Sequence, residues 1–255
     1  MIEVAKEAAT KAGEIVVAYR EGKHSVERKG TADNISTEAD VASQITILQI
    51  LQSSFPKHNF LAEEKGARID NGSEYTWVID PLDGTGPYFS GLPTFGVSIG
   101  LLRGGEPILG VLNFPILNNL YWAAKGEGAY RNGKRITVSK EKRLEKVMVG
   151  YDFAWMDMRD KELDTLLRPL VSKVRYTPML GCTIAGVAYV AEGAYGAYIH
   201  WAYSWDYVAG VAILEEAGGK VTDEKGDKTD WLKETMTVVA SNGYLHKKIL
   251  SQLNR

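Results

Sequence analysis

Cysteine is nearly absent. Cys182 is the single one in 255 residues, so no internal disulfide can form, and a reducing, cytoplasmic setting is expected. Histidine is scarce too: His24, His58, His200 and His246 are scattered, without the pairwise spacing of a zinc site. An excess of one charge is missing. Thirty Lys and Arg against 32 Asp and Glu leave a net charge of −2, which gives no electrostatic footprint for nucleic acid or an anionic membrane. No apolar run approaches the length of a bilayer span, and the N-terminus lacks the apolar core of a signal peptide. Repeats, low-complexity tracts and long linkers are also absent. The hydrophobic content, 45%, is that of an ordinary globular chain with a sizeable core. The length suits one large domain or two small ones.

What is present centres on Trp77 to Thr85, WVIDPLDGT. Trp77-Val78-Ile79 is apolar and β-branched, and is expected to form a short buried strand. It meets Asp80 and then Pro81, which cannot continue a ladder. Asp83, Gly84 and Thr85 follow at once. Two carboxylates this close repel unless a cation or a shared proton lies between them. Oxygen-rich loops suit Mg²⁺, and a helix starting near Thr85 would turn backbone N–H groups toward a phosphate. Asp-Gly-Thr by itself also describes a tight turn; the preceding strand and the second aspartate favour metal plus phosphate.

Around this stretch, residues 2–20 carry apolar positions three and four apart, at Val4, Ala8, Ala12, Ile15, Val16 and Tyr19, the pattern of an amphipathic helix. Residues 24–35 are polar and predict a loop or weak hairpin. A second helix is expected over 37–54, with Ala42, Ile45, Leu48, Leu51 and Phe55 on its apolar face and Pro56 beyond its end. Thr37 and Asp40 there have capping-box spacing. Residues 60–62 read as a short strand delivering Glu63 and Glu64, although adjacent acids are usually a solvated pair. Strands are expected over 94–102, 107–114 and 120–124. Asn132-Gly133 is a strong hairpin signal. The second half alternates: strand 146–150, helix 160–173, helix 184–191, strand 195–199, helix 206–217, strand 237–240, helix 244–253. The expected fold class is therefore α/β, or layered α+β, with two helices on a mostly antiparallel sheet followed by a layered α/β half. Asp206 suits the N-terminal end of its helix, where negative charge is favoured; it could also meet Asp80 and Asp83 from the other half.

WVIDPLDGT resembles the first signature of the inositol monophosphatase family. Trp205-Asp206-Tyr207-Val208-Ala209-Gly210 resembles its second, and Glu63-Glu64 stands where the family carries an acidic pair. The resemblance spans nearly the whole chain. It implies a sugar-phosphatase-type αβαβα sandwich, one domain over 1–255 with lobes at about 1–140 and 141–255. It also implies a lithium-sensitive homodimer and Mg²⁺-dependent hydrolysis of a small phosphorylated polyol or sugar by metal-activated water. Two to three Mg²⁺ ions would be held by Glu63, Asp80, the Leu82 carbonyl, Asp83 and Asp206. Asp40 and Thr85 would orient the water, Glu64 would fix a metal water, and Gly84 and Thr85 would hold the phosphate beside Asp83. The loop over 24–35 would reach toward the site.

The chain departs from the family's patterns in places that bear on substrate. Gly86-Pro87-Tyr88-Phe89 replaces the usual residues after the first signature. The lysine-glutamate pair of the adenosine-bisphosphate branch is missing. The loop over 199–204 is expected to be one residue short, with His200-Trp201 where inositol-selective members carry a glutamate; His200 is the candidate substrate contact, and a surface position at a strand end is the alternative. Tyr121-Trp122 faintly resembles the histidinol-phosphate branch. Inositol 1-phosphate, fructose 1,6-bisphosphate, histidinol phosphate and 3′-phosphonucleotides all remain open as substrates. Two other classes compete. A phosphoaspartyl phosphatase needs D-x-D-G-T, whereas here the acids stand one residue further apart and far from the start of the chain. A non-catalytic regulatory binder has no need of the full set of acids.

Overall fold

The computed structural model describes residues 1–21, 26–28, 35–64, 68–153 and 158–254, with the main chain alone for 21, 26–28 and 35–37. The loop expected over 24–35 falls largely outside them, as does the side chain of Thr37. Its flanks, β1 (Val26–Arg28) and β2 (Ile35–Thr37), pair antiparallel.

Among the described residues the main sheet has eight strands: β3 (Asn59–Ala62), β4 (Arg68–Ile69), β5 (Tyr75–Asp83), β6 (Gly96–Arg103), β7 (Glu106–Phe114), β8 (Asn119–Ala124), β9 (Gly128–Arg131) and β10 (Lys134–Ile136). Their order is β10-β9-β8-β7-β6-β5-β3-β4. The β3–β5 pair is parallel and the other pairs antiparallel. Asn132 and Gly133 both take positive φ, 49° and 75°, as the two-residue turn between β9 and β10 requires. A second sheet contains β11 (Val149–Tyr151), β12 (Ala197–Tyr203), β13 (Lys220–Thr222) and β14 (Thr235–Ser241), in the order β11-β12-β14-β13.

Helices alternate with the sheets. On one face of the main sheet lie α1 (Ile2–Glu21) and α2 (Glu38–Ser54). Between the sheets lie α6 (Thr183–Ala191) and α7 (Ser204–Glu216); beyond the second sheet lie α5 (Arg168–Val171) and α8 (His246–Leu253). The short α3 (Thr85–Phe89) follows β5, and α4 (Arg159–Glu162) runs through a π turn into α5. This is the expected five-layer αβαβα arrangement. The period-2 pleat divides β5 between two cores: Trp77 and Ile79 pack with α1 and α2, while Val78 packs with α6 and α7.

Several expectations are corrected. β5 does not stop at Asp80; it continues to Asp83 through a register irregularity against β6, so Pro81 sits in a bulge. The buried face of α2 holds Ala39, Asp40, Ser43, Gln44, Ile47 and Leu51, while Ile45 is half exposed. Ser43 and Gln44 face inward because they bind the backbone at Pro81 and Glu64, and that rotates the helix away from its apolar stripe. The expected loop over 199–204 is strand, and α7 begins at Ser204 rather than at Asp206. β13, three residues on the sheet's edge, escaped notice because so short a segment carries no readable period.

Main-sheet glycines set how near α7 can come. A Cβ on Gly110 would lie 2.0 Å from the Ala209 carbonyl oxygen, and one on Gly100 would lie 2.6 Å from Val208. The helix backbone therefore rests directly on the sheet, and Gly210 faces Val187 of α6 on its other side. The small residues of the Trp205–Gly210 motif are packing residues that bring the start of α7 over β5.

Candidate active site

The site forms where β5 ends. Trp77 anchors the strand: its indole N–H donates to His58 Nδ1 at 3.1 Å. Asp80 then accepts the Leu82 N–H at 2.9 Å on Oδ1, an Asx turn that shapes the bulge. The Ser43 hydroxyl of α2 donates to the Pro81 carbonyl at 2.8 Å. Gly84 follows with φ 83°, and a Cβ there would meet the Thr94 carbonyl at 2.6 Å, so glycine is demanded both by conformation and by space. The Thr85 hydroxyl donates to the Leu82 carbonyl at 3.1 Å.

Two other elements meet this end. The Asp83 carboxylate accepts the Ile184 N–H of α6 at 2.7 Å and the Cys182 thiol at 3.3 Å. Asp206, in the first turn of α7 as the preference of negative charge for a helix N-terminal end suggests, accepts the Tyr203 N–H at 2.9 Å. Ser98, opposite Asp80 on β6, donates to the Trp205 carbonyl at 3.1 Å and ties the start of α7 to the main sheet. Each of Asp80, Asp83 and Asp206 thus brings a carboxylate oxygen within 4.8 Å of the others'.

The electrostatics follow from that crowding. Burial pushes Asp80 well above the usual carboxylate range, and the charges of Glu63, Asp83 and Asp206 push it further. Asp206 is raised by burial, Asp83 and Glu63. Asp83 is raised to about 6, chiefly by burial, against the N–H and thiol donors that lower it. Without a cation, burial and mutual repulsion make the charged forms of these groups costly. A hard divalent cation relieves both desolvation and repulsion, and an all-oxygen donor set fits Mg²⁺.

Other candidates lie around this trio. Glu63 follows β3, half-buried, and acts on Asp80 and Asp206 through its charge. Glu64 is buried rather than solvated, and its backbone exchanges two hydrogen bonds with the Gln44 amide. Asp40 is 1% exposed, and its charge adds to the burial that raises Tyr88; it stands on the α2 side of the site, outside the three-acid group. Tyr121 is a core residue bonded to Glu192, and Trp122 stacks on Tyr130, so the pair belongs to the sheet.

A cavity of about 240 Å³ opens beside Asp83 and Asp206, lined also by Asp152, Arg159, Thr183 and His200. His200 is buried in β12, not at a strand-end surface. Its Nδ1 lies 2.7 Å from the Asp152 carbonyl. A carbonyl only accepts, so Nδ1 carries the proton and Nε2 presents a lone pair. Burial lowers its pKa to about 4, which keeps the ring neutral. Sequence reasoning missed Asp152, Cys182, Thr183, Arg159 and Ser98. None lies in a motif, and only the fold brings them to the site.

Comparison with known proteins agrees with this fold. The family model described as "Inositol monophosphatase family" matches residues 1–255. "Fructose-1,6-bisphosphatase/inositol-1-monophosphatase" of Aquifex aeolicus is 37% identical, over 98% of this chain and 93% of that protein. "Inositol monophosphatase 2" of Solanum lycopersicum is 36% identical, over 99% and 97%. The solved structure of the extragenic suppressor protein suhB from Bartonella henselae superposes with a TM-score of 0.93 at 31% identity, covering 99% of this chain and 98% of that one. With a family match over its whole length and relatives of the same family and fold, the chain belongs to the inositol monophosphatase family of phosphatases.

Proposed function

We propose that the chain hydrolyses phosphate monoesters of small sugars and polyols, using Mg²⁺ held by Asp80, Asp83, Asp206, Glu63 and the Leu82 carbonyl. The observation that carries this is the convergence of three carboxylate oxygens within 4.8 Å, delivered by β5 and α7 at the mouth of a 240 Å³ cavity. A solved relative at 25% identity, an IMPase/NADP phosphatase, was crystallised with Mg²⁺ and phosphate. Two to three ions are proposed. Bound Mg²⁺ supplies positive charge that polarises the phosphate and makes a nearby water more acidic.

The chain's own residues do the rest. Asp80, whose carboxylate lies within reach of those of Asp83 and Asp206, would be a ligand to the bound metal. Thr85, already oriented by the Leu82 carbonyl, and Asp40 direct the water, and Glu64 steadies the ion's outer partners. Backbone N–H groups at Gly84 and Thr85 hold the phosphate beside Asp83. His200 Nε2 accepts a hydrogen bond from a hydroxyl of the alcohol. No aspartyl phosphate forms. The two lobes, about 1–140 and 141–255, act as one domain; residues from both share one core, Val78 and Leu112 with Val187 and Val238. We place the enzyme in the cytoplasm, which the lone buried thiol suits. A homodimer is also proposed, supported by the exposed apolar side chains Phe89, Leu92, Tyr176 and Met179; a monomer in sedimentation at micromolar concentration would remove that part.

Substrate choice is read with a panel of inositol 1-phosphate, fructose 1,6-bisphosphate, histidinol phosphate and a 3′-phosphonucleotide, each with Mg²⁺ and with added Li⁺. Inhibition by Li⁺ and modest preference among the sugar phosphates are expected. A site with few alcohol contacts rejects analogues weakly. His200→Ala should change the ratio of kcat/KM between two sugar phosphates and leave small phosphate esters little affected. A fixed ratio, or a preference for inositol 1-phosphate by several orders of magnitude, contradicts the reading.

A further inference from the structure

We propose that Asp152, a buried carboxylate outside every motif, is a positioning residue that sets the geometry of Asp83. This rests on the metal-site reading above. Asp152 stands just past the end of β11, 8% exposed. Its Oδ1 accepts the Leu180 N–H at 3.0 Å and the Gly181 N–H at 2.7 Å, and the Cys182 N–H adds a further bond to the carboxylate. Its Oδ2 accepts the Tyr198 hydroxyl of β12 at 2.8 Å. Three successive N–H groups thus close on one carboxylate, which is braced from the second sheet.

The turn it grips is the one that leads into α6. Gly181 has φ 63°, and a Cβ there would stand 3.2 Å from Pro87, so the turn is also confined from the α3 side. The next residues are those that bind Asp83: the Cys182 thiol at 3.3 Å and the Ile184 N–H at 2.7 Å, both on Oδ2. Leu180–Cys182 therefore transmits position from Asp152 to the start of α6, and from there to a carboxylate of the acid cluster. Asp152 also fixes the opposite wall of the cavity, because its carbonyl holds His200 Nδ1. Partners beyond the direct ligands orient those ligands, and removing one weakens metal binding roughly 10- to 100-fold.

The test is Mg²⁺ binding to the metal-free protein, followed by calorimetry without substrate, on the wild type, Asp152→Ala and Asp152→Asn. Asp152→Ala should weaken binding about tenfold. Asp152→Asn keeps an oxygen for the N–H groups and should stay close to the wild type. A merely structural role lowers the melting temperature but leaves the Mg²⁺ affinity of the folded molecules unchanged, and that result overturns the proposal. Should Asp152→Ala not fold, Tyr198→Phe removes only the brace; weaker Mg²⁺ binding supports the proposal and unchanged affinity overturns it. Wild-type protein that fails to bind Mg²⁺ would instead refute the metal site itself.

Discussion

Asp83 carries two opposed demands. Binding a cation requires it charged, yet burial raises it to about 6, against an ordinary value of 3.8. A raised carboxylate pKa means the folded state binds a proton more tightly than the unfolded state. In metal-free protein the ionised group therefore costs stability above about pH 6, and the cost fades as pH falls from there toward 3.8. Asp83→Asn removes the charge and keeps an oxygen for the Ile184 N–H. In chelator at pH 7.5 it should unfold at a higher temperature than the wild type, and the gap should close on acidification through pH 6. A gap independent of pH would show that Asp83 is not strained by its charge. At this scale the sequence was informative where acids sit in motifs: Asp80, Asp83 and Asp206 all converge. It was silent on Asp152, Ser98 and Cys182, whose roles depend on contacts between residues roughly 30 to 100 positions apart.

Elements were legible where one face alone decides. The Asn132-Gly133 hairpin and α1 formed as their periods predicted. The face of α2 differs from its apolar stripe because hydrophobic periodicity assumes that buried means apolar, whereas Asp40, Ser43 and Gln44 are buried and the last two bind the backbone at Pro81 and Glu64. β5 overran its expected end because a bulge accommodates Pro81 without ending the pairing. The sheet glycines gave no signal either, since their purpose is to make room for α7. Gly110→Ala tests that purpose. Its Cβ would need the space of the Ala209 carbonyl, 2.0 Å away, so α7 must lift. A loss of about 1–3 kcal/mol or more in urea unfolding is expected, with weaker Mg²⁺ binding because Asp206 rides on the same helix. Wild-type stability would show that the helix and sheet are not in such close contact.

For the whole molecule, the αβαβα layering has one functional consequence: it brings the end of a main-sheet strand and the starts of two sandwiched helices to one point. The five layers could be anticipated from the alternation of elements and the family's signatures, whereas the register that aligns Ser98 with Asp80 could not. This convergence is proposed to be a Mg²⁺-dependent phosphatase centre. The most direct measurement is phosphate release from a sugar monophosphate by chelator-treated protein, titrated with Mg²⁺, for the wild type and Asp80→Asn. The wild type should be inactive in chelator and recover with Mg²⁺, while Asp80→Asn should remain slower by orders of magnitude even at saturating Mg²⁺. Phosphate release by Asp80→Asn at the wild-type rate, with the same Mg²⁺ dependence, would contradict the account.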